Sequence, residues 1–579
     1  MKLRTHCGPF GPAILALVLF ASGIGGGATV CAQGPLPIAT PPAAPPQHLS
    51  AEGEAALRSF IAAGTLADLR WPDFIDQKDQ VKNFYDSAGY GLAWVQGGKP
   101  TPQAVAISRM LLDADGKGLS PDDYDGPRWA DRIARLRQPS PPPSDTDLAK
   151  FDLAMTVCTM RYVSNLHSGR VNPKTLYLGI DLDRRKFDLS VFLRQQLVNA
   201  DSENLKSAFA RLEPPFDAYR RLEAVLPAYE ELASKDDAEQ LPVPSKTMNP
   251  GDSYTGVRRL ASLLRLVGDL PADAMVSTDP PVYQQPLVDA VKKFQGRHGL
   301  EIDGRLGART LKQLDVPLSV RAEQIRLAME RWRWVPHHFA RPPIIINVPE
   351  FILRCWNDSN HNVLQMKVVV GKAYHHRTPI FFDDLRYVIF RPYWDVPLSI
   401  VRAEMIPKIH RDPDYLAEND FEVTTSDGTV VSEDAVSGDV LEGIASGALM
   451  VRQKPGPKNA LGLVKFIFPN DYNVYLHGTE APQLFARSQR DLSHGCIRAE
   501  DPVGLAAWVL RDQPPWDRVH IVAAMNDGDN SRVNLNKPIP VLIVYGTAAV
   551  RPTGNVQFFN DIYGYDIELE QALAKAHPR

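Results

Sequence analysis

The spacing of apolar and polar positions changes character twice along this chain. From about Ala51 to Leu241 the apolar residues recur at helical spacing, as in Ala104, Ile107, Leu111 and Leu112 and again in Leu153, Val157, Met160, Tyr162 and Leu166. A proline-rich break at Pro139–Pro143 divides this region. Two further amphipathic helices are predicted on Val257, Leu260, Leu263 and Leu264 and on Leu287, Val291 and Phe294. From about Val320 one more helix leads into Ile344–Val348, and strand patterns follow at Phe351–Leu353, Lys367–Gly371, Val464–Phe468 and Asn473–His477. Between about Pro392 and Val451 the pattern is interrupted. Trp394–Pro397, Ile400, Glu404 and Ile406–Pro413 read as helix and loop rather than sheet, and strand character is predicted to resume at Pro457–Gly462. Near the end, Leu505–Leu510 predicts a short helix with Trp508 buried. Val541–Tyr545 and Asn555–Phe559 read as two strands joined around Gly554, with fraying only from about Ala574. The fold class expected is multidomain α+β.

Composition adds the setting. The chain of 579 residues suits roughly three or four domains of ordinary size. A net charge of -4 gives no argument for nucleic acid or an anionic membrane surface as partner. Lys2 and Arg4, the apolar run Ala13–Phe20, the break at Gly23–Gly27 and the small residues around Ala32 read as an export signal over 1–32, cleaved after Ala32, with an uncleaved anchor as the alternative. Val30 is too bulky for the residue before a lipidated Cys31. A Pro/Ala-rich linker follows over 33–50. With Cys7 and Cys31 removed, Cys158, Cys355 and Cys496 remain, an odd number that requires a free thiol in an oxidising compartment; a Cys158–Cys355 disulfide is the expectation for the other two.

Candidate chemistry concentrates in His477-Gly478-Thr479 and Ser493-His494-Gly495-Cys496-Ile497-Arg498. A thiol needs a base to attack a carbonyl at neutral pH, and histidine is suited to supply one. Gly495 allows a tight turn in which the amides around Gly495 and Cys496 face a developing oxyanion. Period-two alternation puts Tyr475 on the His477 side of its strand, lining the pocket or facing the core. A bare Cys and His pair also fits a zinc site or a buried cysteine. Metal ligation finds no further support: His337-His338 and His375-His376 are adjacent pairs whose side chains diverge, and no HxxEH or CxxC occurs. In Asp113–Gly118, Lys117 stands where a calcium loop needs an oxygen. The mixture of Arg321, Arg326, Arg331, Trp332, Arg333 and Trp334 reads as tryptophan rings packed under arginine stems.

The two strings together resemble the signature of the L,D-transpeptidases, cysteine enzymes that crosslink bacterial peptidoglycan. Phe84-Tyr85, Trp94, Gly118–Tyr124 and Ser168–Pro173 resemble the helical scaffold of the large Gram-negative members of the YcbB type. Phe294–Leu300, Asp303-Gly304, Gly307 and Thr310-Leu311 resemble a small three-helix peptidoglycan-binding domain, either gripping the wall or kept as a scaffold, with His298 structural. The resemblance implies a helical scaffold over 51–245, a peptidoglycan-binding-like domain over 250–316 and a mainly β catalytic domain over 320–570 with a cap inserted at about 392–450. It implies that Cys496 is the nucleophile, His477 its base and the Gly478 carbonyl the group that orients His477. His494 supports the turn, and Arg498 binds a substrate carboxylate or steadies the loop. The implied reaction forms a thioester on the third residue of a tetrapeptide stem, releases D-alanine and passes the acyl group to an amine on a neighbouring stem. No cofactor or metal is implied. The implied partners are peptidoglycan stem peptides and glycan, other cell-wall synthesis enzymes and carbapenems as covalent inhibitors, in the periplasm. Water as acceptor would make the same site an L,D-carboxypeptidase or a crosslink or lipoprotein-linkage hydrolase. The same residues also leave room for a non-catalytic wall-binding protein or a zinc amidase.

Overall fold

Asp145–Ser168 is the axis of the first core. Ser144 caps the helix reciprocally with Asp147, and Gly169, at φ +77°, ends it. Apolar on every side, it is sheathed by the helices Ala51–Ala63, Lys78–Asp86, Pro102–Leu112 and Ser202–Leu212. Its one buried carboxylate, Asp152, accepts the amides of Ala93 and Trp94 at 2.9 and 2.7 Å and the Tyr85 hydroxyl at 2.7 Å; burial pushes its pKa up to about 6. Those amides precede a small hairpin, β1 (Val95–Gln96) and β2 (Lys99–Pro100), turned at Gly97-Gly98. The computed structural model describes residues 45–576 apart from 139, 183–186, 360, 374–375 and 433–435. The export signal, most of the linker, Pro139 and His375 therefore lie outside the described residues.

This core closes at Leu212. The next helix, Asp217–Lys235, turns away and packs Leu222 and Leu226 against Ile325 and Met329 of the helix Leu318–Trp332. Lys117 does not sit in an ion loop; it bridges the carboxylates of Glu213 and Glu223. Residues 241–314 make a separate small core from the helices Val257–Leu266, Leu287–Arg297 and Ala308–Leu314. His298 is buried there, its Nδ1 2.8 Å from the Phe294 carbonyl and its ring stacked on Phe294. It is a packing residue.

The strand-rich region is a closed sheet. Its strands are β3 (Ile344–Asn347), β4 (Ile352–Trp356), β5 (Asn362–Gly371), β6 (Phe381–Phe390), β11 (Val464–Ile467), β12 (Leu476–His477), β13 (Asp491–Ser493), β14 (Ile497–Ala499) and β15 (Ser531–Val544). They run in the order β13-β5-β14-β12-β11-β6-β15-β3-β4, and β4 also pairs with β5, which joins the ends into a barrel. Alternation sends Ile344, Leu353, Val368, Val388, Phe466, Leu476, Ile497 and Ile543 into its interior. The scaffold chain enters this core as well. Gly179 bridges Phe381, Leu178 and Ile180 pack inside, and the amides of Arg170 and Val171 donate to Glu330 at 2.6 and 3.0 Å.

Four expectations require correction. The segment 392–450 contains a sheet of its own, ordered β7 (Trp394–Asp395), β10 (Met450–Gln453), β8 (Phe421–Thr424) and β9 (Val430–Ser432), over a core of Val401, Met405, Phe421, Ile444 and Val451. Strands of two to four residues are too short to display alternation. Residues 457–462 are a turn, because the buried Asn459 side chain bonds the carbonyls of Pro392, Gln453 and Lys454. Val541–Val544 belongs to β15 at the centre of the barrel, and the terminal hairpin is instead β16 (Ala548–Val550) with β17 (Val556–Phe558). Asn347 separates the two by holding both the N–H and the carbonyl of Gly546, at 2.8 and 3.0 Å. Finally, Cys158 and Cys355 are free thiols in different cores, one in the helical region and one inside the barrel. The helices Arg518–Asn526 and Tyr565–Lys575 were not foreseen; the second carries Ala574 in its last turn, and Arg170 bonds the Ala576 carbonyl at 3.2 Å.

Candidate active site

Strand register assembles the site. Lys465 on β11 lies opposite His477 on β12, and His477 lies beside Arg498 on the parallel β14. With Phe466, Leu476 and Ile497 committed to the barrel interior, Lys465, His477 and Arg498 face outward together. One step earlier, the Ile497 amide donates to the Tyr475 carbonyl at 3.1 Å, which places Tyr475 and Cys496 side by side on the same outer face. The Tyr475 ring lies 5.7 Å from that of His477 and beneath Lys465 Nζ at 5.4 Å. Tyr475 thus stands on the outer face beside His477 rather than in the barrel core.

Cys496 is half-buried, its Sγ 3.8 Å from the Asn473 carbonyl. Burial raises its thiol, and the nearby Tyr475, Lys465 and Arg498 offset this only in part. His477 is buried, and its pKa is lowered to about 3 by desolvation and by the Arg498 charge. The carbonyls of Gly478 and Leu461 favour its protonated form, although Nδ1 has no hydrogen-bond partner of regular geometry among the described residues. Thiol and imidazole are therefore both neutral at rest. Leu461 comes from the turn misread as a strand. Its neighbour Gly462, at φ +64°, is pressed so closely on Gly478 and Thr479 that a Cβ there would stand 2.6 Å from the Thr479 nitrogen.

The turn before Cys496 is fixed from inside. Ser493 Oγ donates to the Cys496 carbonyl at 2.6 Å and accepts the Gly495 N–H at 3.2 Å, so the Gly495 amide is committed within the turn. Gly495 has φ +120°, and its carbonyl accepts from Thr378 Oγ1 at 2.7 Å. Thr378 Oγ1 also takes the Gly371 N–H, and the Tyr563 hydroxyl spans the Thr378 amide and the Gly371 carbonyl. No motif signals Thr378 or Tyr563, since they lie about 120 residues before and about 70 after the cysteine and meet it only through the fold. Arg498 donates to Thr479 Oγ1 at 3.1 Å and lies 3.9 Å from Glu480.

His494 faces the cap. Its Nε2 is 2.6 Å from Glu404 Oε1, and its ring meets the edge of His376 at 4.8 Å. Partial burial would raise the Glu404 carboxyl, but the His494 bond and the charges of Lys408 and Lys372 hold it below its usual value. The cap is thus bonded directly to the residue two places before the thiol.

Comparison with known proteins agrees with this architecture. Residues 341–530 match the family model described as "L,D-transpeptidase catalytic domain". The chain carries an L,D-transpeptidase catalytic domain. Residues 254–314 match the model "Putative peptidoglycan binding domain" and residues 79–226 the model "Scaffold domain". Ahead of its L,D-transpeptidase domain, the chain therefore has a helical scaffold and a peptidoglycan-binding domain. It is also 27% identical over 296 residues to a Haemophilus influenzae protein named "Putative L,D-transpeptidase". That match spans 50% of this chain and 58% of the relative's length.

Proposed function

We propose that the protein is a peptidoglycan L,D-transpeptidase of the cell envelope, with Cys496 as nucleophile and His477 as its base. The observation that carries this reading is the convergence of Cys496, His477, Tyr475 and Arg498 on one outer face of the barrel by strand register alone. Because both groups rest neutral, proton transfer from thiol to imidazole accompanies attack on the carbonyl of the third stem residue. The C–N bond to the terminal D-alanine then breaks, and the proton held by His477 leaves with its amine. The resulting thioester is captured by an amine of a neighbouring stem, which regenerates the thiol and makes a third-to-third crosslink. Peptide-bond energy is conserved in the thioester, so no cofactor enters.

The oxyanion role falls to the Cys496 N–H, since that of Gly495 is committed to Ser493. Arg498 steadies the loop through Thr479 and supplies positive charge for a substrate carboxylate. The carbonyls of Gly478 and Leu461 stabilise the imidazolium as it forms. The cap, bonded through Glu404, keeps water from the acyl-enzyme. The periplasm is the proposed location, on the strength of the signal-like residues 1–32.

The test is incubation of the protein and its Cys496→Ala variant with disaccharide-tetrapeptide, with products identified by mass spectrometry. A Cys496-dependent dimer lacking one D-alanine supports transpeptidation. Cys496-dependent tripeptide alone would move the assignment to a carboxypeptidase, and no Cys496-dependent product would remove the enzymatic reading.

A further inference from the structure

A cleft of about 600 Å³ opens on the outer wall of the barrel, over β3 and β4, which stand opposite β12 in the strand order. Beside the buried Tyr545, four aromatic rings from separate places in the chain face into it: Phe216, Trp332, Phe339 and Trp356. Each of these four is only half-buried. Phe216 lies 5.2 Å from Trp332 and 6.3 Å from Phe339 between ring centroids. Apolar surface left open by several elements at one spot is costly unless something covers it, and the volume falls within the usual range for ligand sites of roughly 300–1,000 Å³.

The polar groups around the rings narrow the occupant. Glu350 is buried in the cleft wall, and Arg354 and Arg551 both pair with it; burial alone would raise its carboxyl, but the two guanidinium groups hold it low. That cluster is saturated. Arg221 has no carboxylate within ion-pair distance among the described residues and uses only Nε, to the Val550 carbonyl at 2.8 Å. Gln365 accepts from Arg354 at 3.0 Å, a bond that leaves its NH₂ donors unused. Flat apolar rings bordered by uncommitted amide and guanidinium donors suit a sugar: the C–H face of a pyranose lies on a ring, and its hydroxyl and acetamido edges accept hydrogen bonds. Stem peptides have no comparable flat apolar face.

We propose that this cleft binds the N-acetylated glycan strand of peptidoglycan, holding the polymer on one side of the barrel while Cys496 acts on a stem peptide at the other. The choice of glycan rests on the peptidoglycan reading given above. The full-length chain would be titrated with an N-acetylglucosamine hexamer and with glycan strands stripped of their stems, followed by tryptophan fluorescence and calorimetry. Trp332→Ala, Trp356→Ala and Arg221→Gln would be compared with the unaltered protein. Both probes should bind, and each tryptophan variant should lose about tenfold in affinity, close to 1.4 kcal/mol. Turnover of soluble disaccharide-tetrapeptide should stay within about twofold in the same variants, since a small substrate does not need the polymer anchor, and it also reports that they have folded. Failure of the unaltered protein to bind either probe, or unchanged binding in all three variants, would overturn the proposal. Self-association abolished by Trp356→Ala would overturn it too, assigning the cleft to a second copy. If the unaltered protein does not turn over the soluble substrate, the transpeptidase reading fails, while the titration still decides the cleft.

Discussion

Alkylation of Cys496 by iodoacetamide across a range of pH tests the neutral resting pair. Burial raises the Cys496 thiol and lowers His477 to about 3, so moving a proton from one to the other runs steeply uphill. The lowering of His477 from 6.5 to about 3 alone is roughly 3.5 pH units, about 5 kcal/mol at 1.36 kcal/mol per unit, so the thiolate–imidazolium pair is a trace species at rest. Simple ionisation also leaves little thiolate at pH 7, because burial holds the thiol above its ordinary range. The alkylation rate should therefore climb about tenfold per pH unit from roughly pH 6 to 8.5 without a plateau. His477→Ala should leave that curve within about threefold, yet lower turnover by about 10²–10⁴ through loss of the base. A rate that is flat from about pH 5 to 7 and collapses in His477→Ala would refute the neutral pair, since that is the behaviour of a preformed ion pair with a thiol pKa near 3–4.

Three further outcomes follow from contacts around this face. Glu404→Ala removes the direct bond from the cap to His494, and the ratio of tripeptide to crosslinked dimer should rise; an unchanged ratio would show that the cap does not exclude water through this contact. Deleting 403–447 should push the ratio further in the same direction. Gly371→Ala would place a Cβ 1.8 Å from the His376 backbone oxygen, in the strand end that anchors Thr378 and Tyr563, so that variant should lose both activity and thermal stability. Asp152→Ala strands the Ala93 and Trp94 amides inside the helical core and should cost about 2–4 kcal/mol in denaturant unfolding, whereas Asp152→Asn keeps an acceptor there and should recover most of it.

The candidate site residues were legible because they lie in two short strings, and period two alone put Tyr475 and His477 on one face. Their supports were harder to read. Leu461 was hidden in a turn whose apolar residues imitate a strand, and the buried amide of Asn459 that shapes that turn carries no signature. Glu404 stood within the predicted cap, yet nothing in the sequence ties it to His494, 90 residues away. Lys465 sat on a strand whose position was foreseen, but its place beside His477 depends on which strand pairs with β12. The cap's sheet escaped notice because its strands are too short to alternate. The supposed Cys158–Cys355 bond failed because counting cysteines takes no account of where they fold.

The closure of the barrel bears on how this protein could be cut into pieces. The family match ends at residue 530, one place before β15, a strand that pairs with both β3 and β6. The core also takes Leu178 and Ile180 from well upstream, and the turn before Cys496 hangs on Tyr563. A fragment trimmed to 341–530 would be a barrel with a missing stave, the loop that carries Cys496 detached from its mooring. What can be recognised as a unit of descent is here smaller than the unit that can fold.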